Sequence, residues 1–198
     1  MRVVVFGAGG RTGRLVVERL RADGHEVVAA TRDGRAVAGA RSVQADPATG
    51  QGVAEAAEGC DAVISALASG PGNPAGSGLA RALLSRDGLR YVTVAGAAVD
   101  HPGDAKGLVD RVASALARRL AGEVVADRQR EHDLLMHSGL RWTMLRPPRL
   151  VDGPAKGRVR VSDEKPPSLK VTRADLAAKA VEALADDALV GRAPFVSN

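Results

Sequence analysis

Apolar and polar positions alternate along this chain with two different periods. Short, nearly continuous apolar runs occupy residues 2–6 (RVVVF), 26–31 (EVVAAT), 42–45 (SVQA), 61–67 (DAVISAL), 90–95 (RYVTVA) and 141–146 (RWTMLR). Several are rich in valine, as strands covered on both faces should be. Between them, helical patterns run over 11–22, 50–57, 77–86, 108–120 and 123–137. Strand–helix alternation of this kind predicts an α/β architecture, a doubly wound parallel sheet with helices on both faces. Two Gly-rich gaps, 68–78 and 96–107, follow the fourth and fifth strands and would lie at the carboxyl edge, where such sheets bind ligands.

The first 20 residues, MRVVVFGAGGRTGRLVVERL, crowd four glycines between a strand and a helix. The spacing G-x-G-x-x-G fails because position 12 is threonine, but Gly7, Gly10 and Gly13 satisfy G-x-x-G-x-x-G. Gly7 permits a tight turn after the strand. Gly10 leaves room for a pyrophosphate against the backbone, and Gly13 lets the helix pack closely on the sheet. A helix starting near Arg11 and Thr12 points its free amides and positive dipole end at the phosphates. No G-K-[ST] follows, which excludes a Walker loop.

The second strand ends in Thr31-Arg32, where an NAD site usually carries Asp or Glu for the ribose 2′-hydroxyl. Arg32, with Arg35 as a second contact, suits the 2′-phosphate of NADP(H). Asp33 dissents, since it could face the ribose. Asp46, in "QADP", is placed either to accept from the adenine amino group or to close a turn before proline.

Composition narrows the classes. A chain of 198 residues suits one domain, residues 1–198, with no repeat and no dividing linker. No stretch approaches the ~20 apolar residues of a membrane span. The opening lacks the charged and apolar regions of a secretory signal, so a cytoplasmic protein is expected. The net charge of +5 comes with only 2% aromatics and with basic residues scattered among acids, which argues against a nucleic-acid partner. A single cysteine, Cys60, excludes a disulfide framework, and no His/Asp/Glu cluster has metal-ligand spacing. Thr172 opens "TRADLAAKAVEAL", a capped amphipathic helix with Asp175 in the capping-box position.

The segments "VFGAGGRTG", "TRDGR", "DAVISAL", "LLMHSGLRWTMLRPPRLVDGP" and "VTRADLAAKAVEAL" together resemble the atypical short-chain dehydrogenase/reductases. The nearest group is the NADPH-dependent flavin reductase/biliverdin reductase B group, and the resemblance covers the whole chain. It implies a Rossmann-type fold with NADP(H) across the sheet edge and a small aromatic acceptor, a flavin or quinone, above the nicotinamide. It places Gly7, Gly10, Arg11, Thr12 and Gly13 on the pyrophosphate, Arg32 and Arg35 on the 2′-phosphate, and Asp46 at the adenine. Leu67 and Ala68 would border the nicotinamide-side ribose and Pro147 the nicotinamide. Gly96, Pro148 and Arg149 would face the acceptor, in a pocket built from loops 68–78, 96–107 and 147–157.

Departures from that family matter equally. Its Tyr-x-x-x-Lys pair is absent, because Ala95 stands four residues after the only tyrosine, Tyr91. Gly96 stands where the flavin reductase relatives carry serine, and Arg149 where they can carry histidine. Ordinary alcohol oxidation is therefore disfavoured, whereas flavin or quinone reduction needs mainly binding and orientation. His132, in "REHDLL", matches a helix histidine of the group and is the candidate acid. The missing Tyr, Lys and Ser also suit a non-catalytic NADP(H)-binding sensor of the NmrA type.

Overall fold

The computed structural model describes residues 1–198. Its centre is a six-stranded parallel sheet in the order β3-β2-β1-β4-β5-β6. The strands are β1 (Arg2–Phe6), β2 (Glu26–Thr31), β3 (Arg41–Gln44), β4 (Ala62–Ser65), β5 (Arg90–Val94) and β6 (Arg141–Leu145). The order reverses between β1 and β4, which opens a crevice outside their carboxyl ends.

Side-chain alternation along β1 divides the core in two. Val3 and Val5 pack with Val16, Val17 and Leu20 of α1 (Arg11–Ala22) and with Leu176 of α6 (Arg173–Glu182). Val4 and Phe6 face the opposite layer, built from α2 (Val53–Ala57), α3 (Ala75–Leu83) and α5 (Gly122–Met136). Both faces of the sheet are covered, which explains why its strands read as apolar runs without alternation. The expected doubly wound sheet is what forms.

Element ends differ where local chemistry intervenes. The helix expected over 50–57 begins at Val53, because Gly50 and Gly52 both adopt positive φ (82° and 71°). The one expected over 77–86 begins at Ala75, directly after Pro74. Beyond β6 the chain forms four short strands that no pattern announced. These are β7 (Leu150–Val151), β8 (Arg160–Ser162), β9 (Val171–Thr172) and β10 (Phe195–Ser197), paired as β7 with β9 and β8 with β10. Thr172 caps α6 by accepting from the Asp175 amide at 3.1 Å. The Asp175 carboxylate does not complete a capping box; it holds the amides of Lys156 and Gly157 and so anchors the loop after β7.

Candidate active site

A cleft of about 480 Å³ runs along the carboxyl ends of β1, β2, β4 and β5. Its centre is the turn from β1 into α1. Gly7 has φ +79°, and a Cβ there would lie 2.7 Å from the Ala66 carbonyl oxygen. At Gly13 a Cβ would lie 2.1 Å from the Gly7 oxygen, so only glycine lets the helix come this close. Gly10 is the N-cap and supplies no side-chain cap, and the first turn holds no acidic residue. The amides of Arg11, Thr12 and Gly13 bond to no carbonyl, so this helix end is left open for an anion.

At one end of the cleft, Thr31, Arg32 and Arg35 line the wall. Gly9 makes room for Arg35, since a Cβ at Gly9 would come within 2.9 Å of its Nε. Asp33 turns back instead, accepting from the Arg35 amide at 3.3 Å, and that bond draws its pKa below the usual carboxylate range. Asp46 lies between the wall residues Ala45 and Pro47 but is not on the wall. Its Oδ1 accepts from the Ala48 amide at 3.0 Å, closing the turn.

The other end is lined mainly by apolar residues. Leu67 and Ala68 follow β4, Val94 to Gly96 close β5, Ala98 and Val99 belong to the next loop, and Val124 and Val125 come from α5. Of the residues read from the sequence, the cleft gathers Gly7, Gly10, Arg11, Thr12, Arg32, Arg35, Leu67, Ala68 and Gly96. It does not gather Pro147, Pro148 or Arg149. The Pro147 carbonyl accepts from the Ala97 amide and the Arg149 carbonyl from Val171, so this segment braces its neighbours while Leu150 reaches the wall.

His132 also lies off the wall. It is 3% exposed beneath loop 96–107, with Nε2 2.9 Å from Nδ1 of His101 and Nδ1 3.2 Å from Asp133. Both rings meet Trp142 edge-on. Tyr91 is fully buried and donates to Glu131 at 2.8 Å, far from the role of a surface acid.

Sequence reasoning missed the one polar residue that α5 does bring to the cleft, and the buried acids behind it. Arg128 lines it, with its guanidinium 2.5 Å from Glu131 and 2.5 Å from the Leu67 carbonyl. Burial opposes the charge on Arg128, but the Glu131 carboxylate outweighs it and raises its pKa. Ser69, in the loop after β4, also lines the cleft and donates to buried Asp127 at 2.5 Å. Gly76 of α3 permits this cluster, since a Cβ there would sit 2.6 Å from Arg128 and 2.7 Å from Glu131. A signal did exist: Asp127, Glu131 and Leu135 fall four residues apart on one helix face, and Leu135 is apolar. Charges in register with a core leucine belong to the buried side.

A parallel sheet with an uncapped glycine-rich helix start at its switch point defines a dinucleotide-binding protein. The NAD(P)H-binding family matches residues 7–187, and the chain belongs to it. No curated protein matches the sequence significantly. Among solved structures, the fold is similar to ChuY, an anaerobillin reductase from Escherichia coli O157:H7, at 24% identity and TM-score 0.82, covering 100% of this chain and 97% of that one. It is also similar to a proposed NADH-flavin reductase from Streptococcus pneumoniae, at 22% identity and TM-score 0.80, covering 100% and 99%. A short-chain dehydrogenase/reductase from Veillonella parvula, solved with NADP, aligns at 16% identity and TM-score 0.77, covering 100% and 94%.

Proposed function

We propose that this protein is an NADPH-dependent reductase that passes a hydride to a flavin, quinone or similar planar aromatic acceptor. The observation that carries the reading is the continuity of one cleft, from the Arg32 and Arg35 end, past the open α1 amides, to an apolar slot beside β4 and β5. The two arginines would hold the 2′-phosphate, and the Gly7 to Gly13 turn the pyrophosphate. Bound NADPH supplies the hydride, and the chain binds, orients and excludes water. Loops 68–78 and 96–107 would wall the acceptor together with α5, and Leu150, a lining residue of the cleft, would bring in the 147–157 segment. ChuY and the S. pneumoniae protein, by their names reductases, add to the case.

Cofactor titration by calorimetry tests the charged end. NADPH should bind at least tenfold more tightly than NADH, and Arg32→Ala should weaken NADPH by about 1.5–3 kcal/mol while barely changing NADH. Equal affinities would remove Arg32 from the site. An assay of NADPH oxidation with FMN, riboflavin, quinones and azo dyes tests the reaction. A second reading, a non-catalytic NADP(H) sensor, draws on the absence of Tyr91 and His132 from the cleft wall. It predicts cofactor binding with no turnover on any acceptor.

A further inference from the structure

Ser69, Asn73 and Arg128 are among the polar residues that line the cleft, alongside the apolar residues that follow β4 and β5 and those of α5. Two of them have a fixed hydrogen-bonding sense. Ser69 gives its one hydroxyl proton to Asp127 at 2.5 Å. Asp127 is 1% exposed and also receives the Ser77 hydroxyl (2.6 Å) and the amides of Gly76 (2.9 Å) and Ser77 (3.2 Å). Burial pushes the Asp127 pKa up, but the two hydroxyls and two amides outweigh it, leaving the carboxyl below its usual range and ionised. An ionised carboxylate has no proton to return. Ser69 therefore offers the cleft lone pairs alone.

Arg128 has the opposite sense, because a guanidinium only donates. One of its bonds goes to Glu131, itself held by the Tyr91 hydroxyl, and one to the Leu67 carbonyl. Its remaining donors belong to a group that lines the cleft. Asn73 can turn its amide either way and imposes no preference.

A wall with one fixed acceptor and one fixed donor matches a ligand edge that carries N–H beside C=O. We propose that Ser69 and Arg128 recognise the lactam or imide edge of the acceptor, which selects N–H-bearing heteroaromatics such as isoalloxazines over quinones. This rests on the reductase reading above. A quinone rim carries only acceptor oxygens, so beside Ser69 it sets lone pair against lone pair and leaves a buried polar atom unmatched. Arg128 also meets the charge that the reaction creates. The hydride brings two electrons to the ring, the cofactor leaves oxidised by two, and the anion on the N–C=O system faces the guanidinium until water supplies a proton. Ser69 and Arg128 thus touch the acceptor, while Asp127 is a positioning residue that acts through Ser69.

The test compares riboflavin, N3-methylriboflavin and menadione as acceptors with NADPH. Wild-type protein should use riboflavin about tenfold better, in kcat/KM, than its N3-methyl derivative, the scale of one hydrogen bond. Ser69→Ala should erase that ratio and raise menadione kcat/KM by up to about tenfold, since the opposed lone pairs are gone, while the NADPH KM stays within about twofold. Asp127→Asn should move the preference toward menadione, since Ser69 can then turn its proton into the cleft; a structural role alone would lower all three equally. Survival of the N3-methyl ratio in Ser69→Ala overturns the proposal. So does a rise in NADPH KM with every acceptor, which would put the nicotinamide carboxamide against Ser69. Riboflavin fluorescence titrated with NADP⁺-loaded protein separates the two layers. Ser69-dependent binding without NADPH consumption would sink the reductase reading and keep the edge recognition. Absent binding, or binding indifferent to N3-methylation, would sink the edge recognition.

Discussion

Single residues carried two kinds of information here. Gly7, Gly10 and Gly13 were legible because glycine has one physical reason to recur at that spacing, and the backbone contacts at Gly7 and Gly13 are of the expected kind. Histidine has no such exclusivity. His132 could be placed on a helix from its surroundings, but whether it faces solvent, cleft or core depends on what packs over it. In the structure loop 96–107 packs over it, and His101 takes its Nε2. Placed there, His132 stays off the wall formed by Gly96, Val99 and Val125, where the proposed acceptor would lie. His132→Gln should therefore lower kcat by no more than several-fold, against the 10²–10⁴-fold expected of a general acid. Steady-state kinetics with acceptor and NADPH varied separately would decide, and a collapse of kcat at unchanged acceptor KM would restore His132 as the acid.

At the scale of elements, helical spacing located α4 (Leu108–Leu120) to the residue but could not say what its apolar face meets. Leu108, Val109, Val112, Leu116 and Leu120 are all exposed, and Ser114 is the only buried residue of the helix. Amphipathicity identifies a helix; it does not identify the side that the domain uses. The opposite happened in α5, where charged Asp127, Arg128 and Glu131 are buried. Arg146 completes the lesson. The "LRPP" segment resembles a family signature, yet its arginine is fully buried, paired with Asp104 through two bonds of 2.7 Å and stacked on Phe195 at 3.9 Å. Its work is to tie loop 96–107 to β6. Leu116→Lys on the outer face of α4 should change unfolding stability by no more than about 0.5 kcal/mol, as at other exposed sites. Chemical denaturation measures this, and a loss of several kcal/mol would mean that α4 packs inward.

For the molecule as a whole, loop 96–107 is both a cleft wall and a segment tied by charged and histidine contacts, and this couples the site to pH. Gly96, Ala98 and Val99 line the cleft. The same loop is held by the Asp104–Arg146 pair, by Lys106 on the Val99 carbonyl and Asp100, and by the His101–His132 contact against α5. The groups facing His101 are thus His132 from α5, itself held by Asp133, Trp142 from β6, Arg146 just after β6, and Asp104 from its own loop. With Asp133 accepting from His132 Nδ1, the pattern requires His132 Nε2 to accept and His101 Nδ1 to donate. A further proton on His101 is then opposed first by burial, next by His132 and Arg146, with Asp104 pulling the other way, and its pKa lies below the ordinary 6.5. The sign follows from linkage. The unfolded chain takes this proton at higher pH than the folded one, so stability rises with pH and is lost as pH falls below about 6.5 toward the lower folded value. Asp104 acts in a separate window. Its pKa lies below 3.8, because Arg146 overcomes the burial that would raise it, so its contribution fades only in stronger acid. The melting temperature should therefore drop in a first step as pH falls from 7.5 to about 5.5, and His101→Asn should flatten that step without touching the acid one. A first step that persists unchanged in His101→Asn would place the sensitivity in another group.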